Sequence, residues 1–168
     1  MDMAEAKMIL TRLIAASALL VLITAAATAA QAPADNAEAF AAAVRKGDVP
    51  AVKKLLDEGV DVNTKYRYNA TALSFACDRG HVEVVKLLLD RGADLNAEDT
   101  FYHATPLTWA IRPATGRKPE HLEVVRLLLA KGGIAADQLS NALEAATRTN
   151  QDDVVALLKA AGAKPKDK

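Results

Sequence analysis

The side chains of this sequence best suited to metal binding or proton transfer near neutral pH are three histidines and one cysteine. His81, His103 and His121 lack the close spacing of metal ligands, and Cys77 is the only cysteine. Neither a zinc site nor an intramolecular disulfide is therefore expected. An enzyme or metal carrier that uses the three histidines is retained only as a hypothesis from a different functional class.

Sequence motifs for catalysis are also missing. The chain contains no glycine-rich phosphate loop, no HExxH pattern and no Ser/His/Asp arrangement that can be defended. The sequence therefore predicts a protein that is not an enzyme and that has no catalytic residue, no metal ligand and no cofactor.

Composition narrows the class of protein further. Lys and Arg total 21, and so do Asp and Glu, which gives a formal net charge of zero. A protein that binds nucleic acid is expected to carry a basic excess, so no nucleic acid is predicted as a partner. Alanine accounts for 36 of the 168 residues. Because alanine favours helices over strands, an all-β fold is not expected.

The N-terminal segment differs from the rest of the chain. Residues 13–34 carry no charge, and their most apolar part, 13–23, is followed by the alanine-rich stretch 25–30. This order is typical of a secretory signal peptide, which we assign to residues 1–30. The uncharged stretch 13–34 could instead remain as an uncleaved membrane anchor. Both interpretations place the remaining chain outside the cytoplasm.

The N-terminal segment also predicts the cellular compartment in which the protein is found. We expect a periplasmic or secreted bacterial protein that does not insert into the membrane once the signal is cleaved. A start at Met8 rather than Met1 would leave Arg12 as the charge before the apolar stretch. Asn69-Ala70-Thr71 is a formal glycosylation acceptor, which keeps a eukaryotic secretory origin open. In an oxidising compartment, Cys77 is expected to be buried and inert, with a reactive thiol as the alternative.

A motif of two leucines followed by a glycine recurs along the rest of the chain. Its glycines are separated by 33, 40 and 30 residues. They are Gly59, Gly92, Gly132 and Gly162. A second pair, Gly47 and Gly80, is also 33 residues apart. Such a period indicates stacked helical repeats, each of which buries its apolar side against its neighbours.

Two segments carry a resemblance to a known family. Residues 71–97 contain TALSFA, GHVEVVKLLL and GADLNA in order, and residues 105–129 contain TPLTWA and HLEVVRLLL. These motifs resemble the ankyrin repeat. The resemblance implies an all-α solenoid of about four helix–turn–helix units with hairpin fingers. The chain departs from the family pattern at Ser74 and Thr108, where a histidine is usual.

The resemblance sets the expected domain organisation. After the signal peptide or anchor, an ankyrin-repeat domain spans residues 35–164 and a solvated tail covers 165–168. The approximate units are 35–67, 68–100, 101–137 and 138–164. The third unit carries an insertion of six residues within the segment 113–119. That insertion is either part of the binding face or a tolerated surface loop.

Local signals predict where helices begin and end. Thr71 and Thr105 are expected N-caps, and Pro106 suits the first helical position because it lacks an N–H group. The four glycines of the leucine motif are expected to end the second helices in the left-handed conformation. Asn141 and Glu144 resemble a capping box that opens the last unit.

His81 and His121 occupy the same position in successive units. An active site needs to occur only once, so this repetition predicts a structural role in which each histidine bonds to backbone at the turn.

Aromatic residues are few, and four of the seven lie in the two hairpin segments between units. By resemblance, these fingers and the ends of the first helices contact partners, and exposed aromatics beside an arginine are typical of interface hot spots. The predicted partner-binding residues are Tyr66, Arg67, Tyr68, Asp78, Arg79, Phe101, Tyr102, His103 and Arg112. The alternative is that the rings pack on adjacent fingers and stiffen the array. Asn69 and His103 replace the usual glycine, and both tolerate the left-handed conformation.

These observations predict an exported, non-enzymatic, monomeric module that binds another protein. The expected role is that of an adaptor or chaperone-like factor for an envelope or stress-defence protein. The alternative is an immunity-type inhibitor of a toxin that acts in the periplasm.

Overall fold

The computed structural model describes residues 35–112 and 116–165. The chain divides into two compact units, Met1–Glu38 and Ala39–Lys168. In the first unit only residues 35–38 are described, and they are helical. The predicted signal peptide or anchor lies outside the described residues. No helix in the described part of the chain is long and apolar enough to cross a membrane.

The described residues form eight α-helices and no strand, which confirms the expected all-α fold. The helices are α1 (35–46), α2 (Val49–Asp57), α3 (Ala72–Arg79), α4 (Val82–Asp90), α5 (Pro106–Ile111), α6 (Pro119–Lys131), α7 (Ala136–Arg148) and α8 (Asp152–Ala160). A short 3₁₀ helix, Arg67–Asn69, lies between α2 and α3.

The helices of the second unit stack as a helical repeat array does. The first helices α3, α5 and α7 contact one another in order, and so do the second helices α2, α4, α6 and α8. Buried side chains form one apolar cluster that runs from Phe40 in α1 to Ala163 after α8. This continuous core is what stacked units produce when none of them can cover its own apolar side.

Threonine caps begin two of the first helices, as predicted. The Thr71 hydroxyl accepts a hydrogen bond from the N–H of Ser74 at 3.3 Å, and Thr105 accepts one from the N–H of Thr108 at 3.4 Å. Pro106 occupies the first turn of α5. Each cap hydroxyl also lies within 3.2 Å of the Ser74 or Thr108 hydroxyl. These two residues therefore form a polar pair with the cap where the family usually has a histidine.

Two helix boundaries in the structure differ from the predicted ones, the end of α6 and the start of α7. Gly132 has a positive φ of 71°, but its ψ of 179° is extended, so the left-handed prediction is wrong there. The extended chain lets the Asn96 side chain donate to the Gly133 carbonyl at 2.9 Å and accept from the Ala135 N–H at 3.0 Å. The capping box predicted at Asn141 is also wrong, because α7 already begins at Ala136. The Asn96 contact satisfies the N–H group at its start, and alanine favours helix there.

His81 and His121 join successive units by bonding to backbone, which confirms their structural interpretation. Nε2 of His81 lies 3.1 Å from the Arg45 carbonyl, and Nε2 of His121 lies 3.1 Å from the Asp78 carbonyl. Gln151 makes the equivalent contact to the Ile111 carbonyl at 3.0 Å. Each contact connects the start of a second helix with the end of the preceding unit's first helix.

Cys77 is completely buried within α3, as expected for an inert thiol. Burial raises the pKa of the thiol, and the nearby Asp78 carboxylate raises it further. The thiol therefore stays protonated at neutral pH, which disfavours reaction at this sulfur.

Candidate partner-binding surface

Finger one, residues 65–71, is a tight hairpin closed by an isolated bridge between Lys65 and Thr71. The Tyr66 N–H donates to the Ala70 carbonyl at 2.9 Å. At the tip, Asn69 has a φ of 57°, which confirms the expected left-handed conformation. Tyr68 has a φ of 60° and a ψ of 30°, which the sequence did not predict. A bulky residue in this region costs free energy relative to glycine or asparagine.

Finger two, residues 98–104, is built around a buried carboxylate. Asp99 is 4% exposed and accepts hydrogen bonds from the N–H groups of Phe101 at 3.0 Å, Tyr102 at 2.6 Å and Ala104 at 3.3 Å. Its second oxygen also accepts from the indole N–H of Trp109 at 3.1 Å. Asp99 thereby ties the finger tip to the first helix α5.

The two fingers contact each other directly. The Thr100 N–H donates to the Tyr68 carbonyl at 2.8 Å. The rings of Tyr68 and Phe101 lie 5.1 Å apart, so the packing of rings between adjacent fingers, which was the structural alternative, is found here.

Four aromatic rings form a continuous row from finger one to α5. Phe101 meets Tyr102 at 4.5 Å, and Tyr102 meets Trp109 edge-on at 5.6 Å. Tyr68, Phe101 and Tyr102 nevertheless remain 46%, 58% and 66% exposed. The row of Tyr68, Phe101, Tyr102 and Trp109, called the aromatic row below, is packed on one side and open on the other.

Arginine side chains lie on rings of the same surface. The Arg67 guanidinium is 4.7 Å from the centre of the Tyr68 ring, and that of Arg45 is 4.1 Å from the centre of the Phe75 ring. Phe75 also contacts Tyr66 at 5.6 Å. Cation–π contacts of this kind orient the guanidinium and leave its edge available to an anion.

Three hollows lie beside the aromatic row. A hollow of about 260 Å³ is lined by Tyr102, Ala104, Thr108, Trp109 and Arg112. Trp109 also lines a second hollow of about 150 Å³, together with Phe75 and Asp78. A third, of about 220 Å³, extends past Arg112 to α7 and is lined mainly by polar side chains.

The structure brings most of the predicted partner-binding residues to this one surface. Tyr68, Phe101 and Tyr102 belong to the aromatic row, and Arg112 lines the hollow of about 260 Å³. The others lie around them with partners of their own. Tyr66 packs on Phe75, Arg67 lies on Tyr68, Asp78 pairs with Arg79 at 3.7 Å, and His103 pairs with Glu98 at 2.8 Å.

Sequence reasoning missed Asp99 and Trp109 as parts of this surface. An aspartate two residues before a hairpin tip is a recognised turn signal, because its side chain accepts from the N–H groups that follow. That signal was present at Asp99. The contact between Asp99 and the Trp109 indole joins residues ten positions apart, and no local pattern indicates it.

Part of the third unit's insertion contacts the last unit. Arg117 donates to the Asp153 carboxylate at 2.7 Å, and this hydrogen bond lowers the pKa of Asp153. Residues 113–115 lie outside the described part of the chain, so both interpretations of the insertion stay predictions.

The histidines occupy three separate environments. His81 and His121 contact backbone carbonyls, and His103 pairs with Glu98. In residues 35–112 and 116–165, no group of three or more His, Cys, Asp or Glu side chains is placed to hold a metal ion.

Comparison with known families agrees with this architecture. The family model described as ankyrin repeats (3 copies) matches residues 13–99 and 39–135. A comparison with curated proteins found no match. Ankyrin repeats mediate protein–protein interactions and are generally not enzymes. Since the matches together cover most of the 168 residues, the chain belongs to the ankyrin-repeat family.

Proposed function

We propose that this chain is an exported, non-enzymatic module that binds a protein partner through the aromatic row and the adjoining ends of α3 and α5. Its role is that of an adaptor or chaperone-like factor for a periplasmic envelope or stress-defence protein. The observation that carries the proposal is the exposure of Tyr68, Phe101 and Tyr102 on one connected surface, at 46%, 58% and 66%. Clustered exposed aromatics of this kind are characteristic of interaction sites.

The backbone of Tyr68 supports a role for its ring in binding. Tyr68 lies at a φ of 60°, next to Asn69 at 57°. A glycine or asparagine would adopt this conformation at lower cost, so the fold alone does not favour tyrosine. Strained residues that persist in this way cluster at functional sites.

The internal support of finger two favours tight binding. Asp99 holds the backbone of the tip and the Trp109 indole through four hydrogen bonds. A surface already held in its binding conformation loses less conformational entropy when a partner docks.

Export is supported by the N-terminal sequence alone. The uncharged stretch 13–34 and its alanine-rich end favour a signal peptide over a cytoplasmic start. Mass spectrometry of the protein isolated from the producing cells tests this point. A mature N-terminus close to residue 30 is expected, and a chain that begins at Met1 in the cytoplasmic fraction would contradict export.

Photo-crosslinking in the producing cells tests the binding surface. A photoreactive amino acid is placed at Tyr68 or Phe101, and in matched variants at Glu123 or Arg126, which are exposed on the second helix α6. We expect both finger positions to capture the same protein and the α6 positions not to. Capture from α6 alone would show that the wrong surface has been chosen.

The identity of the captured protein separates two roles for the same surface. A partner whose yield or activity falls when the gene for this chain is deleted indicates an adaptor. A toxin whose activity the chain suppresses indicates the immunity-type alternative instead.

A further inference from the structure

We propose that the hollow between Tyr102 and Trp109 receives a large apolar side chain of the partner, and that Arg112 binds an Asp or Glu carboxylate next to it. This inference rests on the proposed function and specifies the chemistry of the segment that the surface recognises. The partner would therefore present an acidic residue beside a bulky apolar one in a segment that is accessible to a finger.

The lining of the hollow favours an apolar side chain as its occupant. The hollow measures about 260 Å³, and the Tyr102 and Trp109 rings provide two of its walls. Trp109 also lines the second hollow, of about 150 Å³. Aromatic rings dominate the energetics of protein interfaces, so these walls suit an apolar side chain of a partner.

Both walls of the hollow are held in position before any ligand arrives. The Trp109 indole donates to Asp99 at 3.1 Å, and the Tyr102 N–H donates to the same carboxylate at 2.6 Å. The two rings also meet edge-on at 5.6 Å. The hollow is therefore preformed, and its walls lose little conformational entropy when a side chain binds.

Arg112 is the cation of this hollow that lacks an internal counter-ion. It is exposed and makes no ion pair with any residue of the described ranges. Two of the carboxylates that line the neighbouring charged hollow have partners, since Glu98 pairs with His103 at 2.8 Å and Glu144 with Arg148 at 3.9 Å. Asp137 lines the same hollow at the first turn of α7. Arginine suits this task because its planar guanidinium binds a carboxylate through two parallel hydrogen bonds.

Two further arginines extend the positive charge along the rings. Arg67 lies on Tyr68 and Arg45 lies on Phe75, and neither forms an ion pair within the described part of the chain. An acidic partner segment would therefore meet a positive charge at Arg67 and Arg45 as well as at Arg112, which favours its encounter with this surface.

Peptide display tests the proposed chemistry. A library of random linear peptides is selected against the purified full chain and, in parallel, against its Arg112→Glu variant. On the wild type, we expect enriched peptides to share a large apolar residue next to Asp or Glu. On Arg112→Glu, we expect Lys or Arg to replace the acidic residue while the apolar residue is retained. Enrichment of basic peptides on the wild type, or of no common pattern, would overturn the inference.

Single peptides from the selected pool then give the size of the effect. Their binding is followed through the fluorescence of Trp109, the only tryptophan in the chain. Arg112→Ala should weaken binding about tenfold or more, as should Asp→Asn or Glu→Gln in the peptide. Arg126→Ala, on the exposed face of α6, is the matched control and should leave the affinity unchanged. An acidic peptide that binds Arg112→Ala as well as it binds the wild type would contradict the assignment.

The two proposals fail separately. If Tyr68 still captures a protein in cells but the selected peptides do not require an acidic residue, the binding surface stands and its proposed chemistry is wrong. If Tyr68 and Phe101 capture nothing while α6 positions do, both proposals are wrong.

Discussion

Asp99 is a buried carboxylate whose partners are four N–H groups, three of the backbone and one of the Trp109 indole. Replacing it by alanine leaves these donors without their acceptor, and each buried donor left in this way costs roughly 1–3 kcal/mol. Because some of them can turn to water at a finger tip, we expect Asp99→Ala to lower the free energy of unfolding by about 3 kcal/mol in total. Urea denaturation measures this change.

Asp153→Ala is the matched control for that prediction. It removes a carboxylate that is 46% exposed and paired with Arg117, so its effect should stay below about 1 kcal/mol. Equal losses for the two variants would show that Asp99 does not support the finger. The Trp109 emission maximum should shift only in Asp99→Ala.

The burial of the Cys77 thiol should make the free energy of unfolding depend on pH at alkaline pH. Burial raises the pKa of its thiol in the folded protein, whereas the thiol of the unfolded chain loses its proton above a pH of about 8.5. The neutral thiol therefore contributes fully below that pH, and the contribution is lost as the pH rises toward the folded pKa. Between pH 8 and pH 10, the unfolding free energy of the wild type should fall by about 2 kcal/mol more than that of Cys77→Ala. Parallel pH profiles in urea denaturation would contradict this account.

The residues of the surface were predictable from sequence only in part. Tyr68, Phe101 and Tyr102 could be identified because rings are rare in this chain and these lie in predicted turns. Asp99 and Trp109 could not be paired, because their contact depends on how finger two folds back onto α5. The φ of 60° at Tyr68 was equally hidden, since tyrosine is not a residue that signals a left-handed turn.

The joints between helices depend on the close approach of glycine and histidine. A Cβ added at Gly47 would lie 2.8 Å from Nδ1 of His81, and Gly47 has a φ of +75°. Gly59 also has a positive φ, of +94°, but no atom lies within 4 Å of its added Cβ. Both alanine variants therefore carry the backbone cost, and only Gly47→Ala adds a clash with the next unit.

Substituting these two glycines tests the contact between helices of successive units. Gly47→Ala should destabilise the protein by about 1–3 kcal/mol more than Gly59→Ala does, as measured by urea denaturation. The cause would be the displacement of His81 from its contact with the Arg45 carbonyl, which is 3.1 Å long. The Gly47→Ala/His81→Ala double variant should lose less than the sum of its single variants. Equal effects of the two glycine substitutions would refute the contact.

Helix boundaries show where sequence signals were sufficient. Thr71 and Thr105 identify the starts of α3 and α5 because a capping threonine acts within a single turn. The start of α7 was missed because no side chain caps it locally, and the N–H of Ala135 just before it donates to Asn96 of an earlier unit. A contact over 39 residues leaves no trace in the local pattern.

At the scale of the whole molecule, the repeat period was enough to predict the stacked helical architecture. Intervals of 33, 40 and 30 residues between equivalent glycines imply units that share one apolar core, and the core does run from Phe40 to Ala163. Which surface remains for a partner is not contained in that period. It follows from the side chains that break the repetition, above all the rings of the aromatic row.

The central claim is that this aromatic row binds the protein partner. The most direct test is the affinity of the captured partner, measured by calorimetry for Tyr68→Ala and Tyr102→Ala beside Lys86→Ala and Arg126→Ala on the second helices. We expect each tyrosine substitution to weaken binding about tenfold or more and the two controls to leave it unchanged. Binding that survives both tyrosine substitutions but is lost in the second-helix variants would contradict the account.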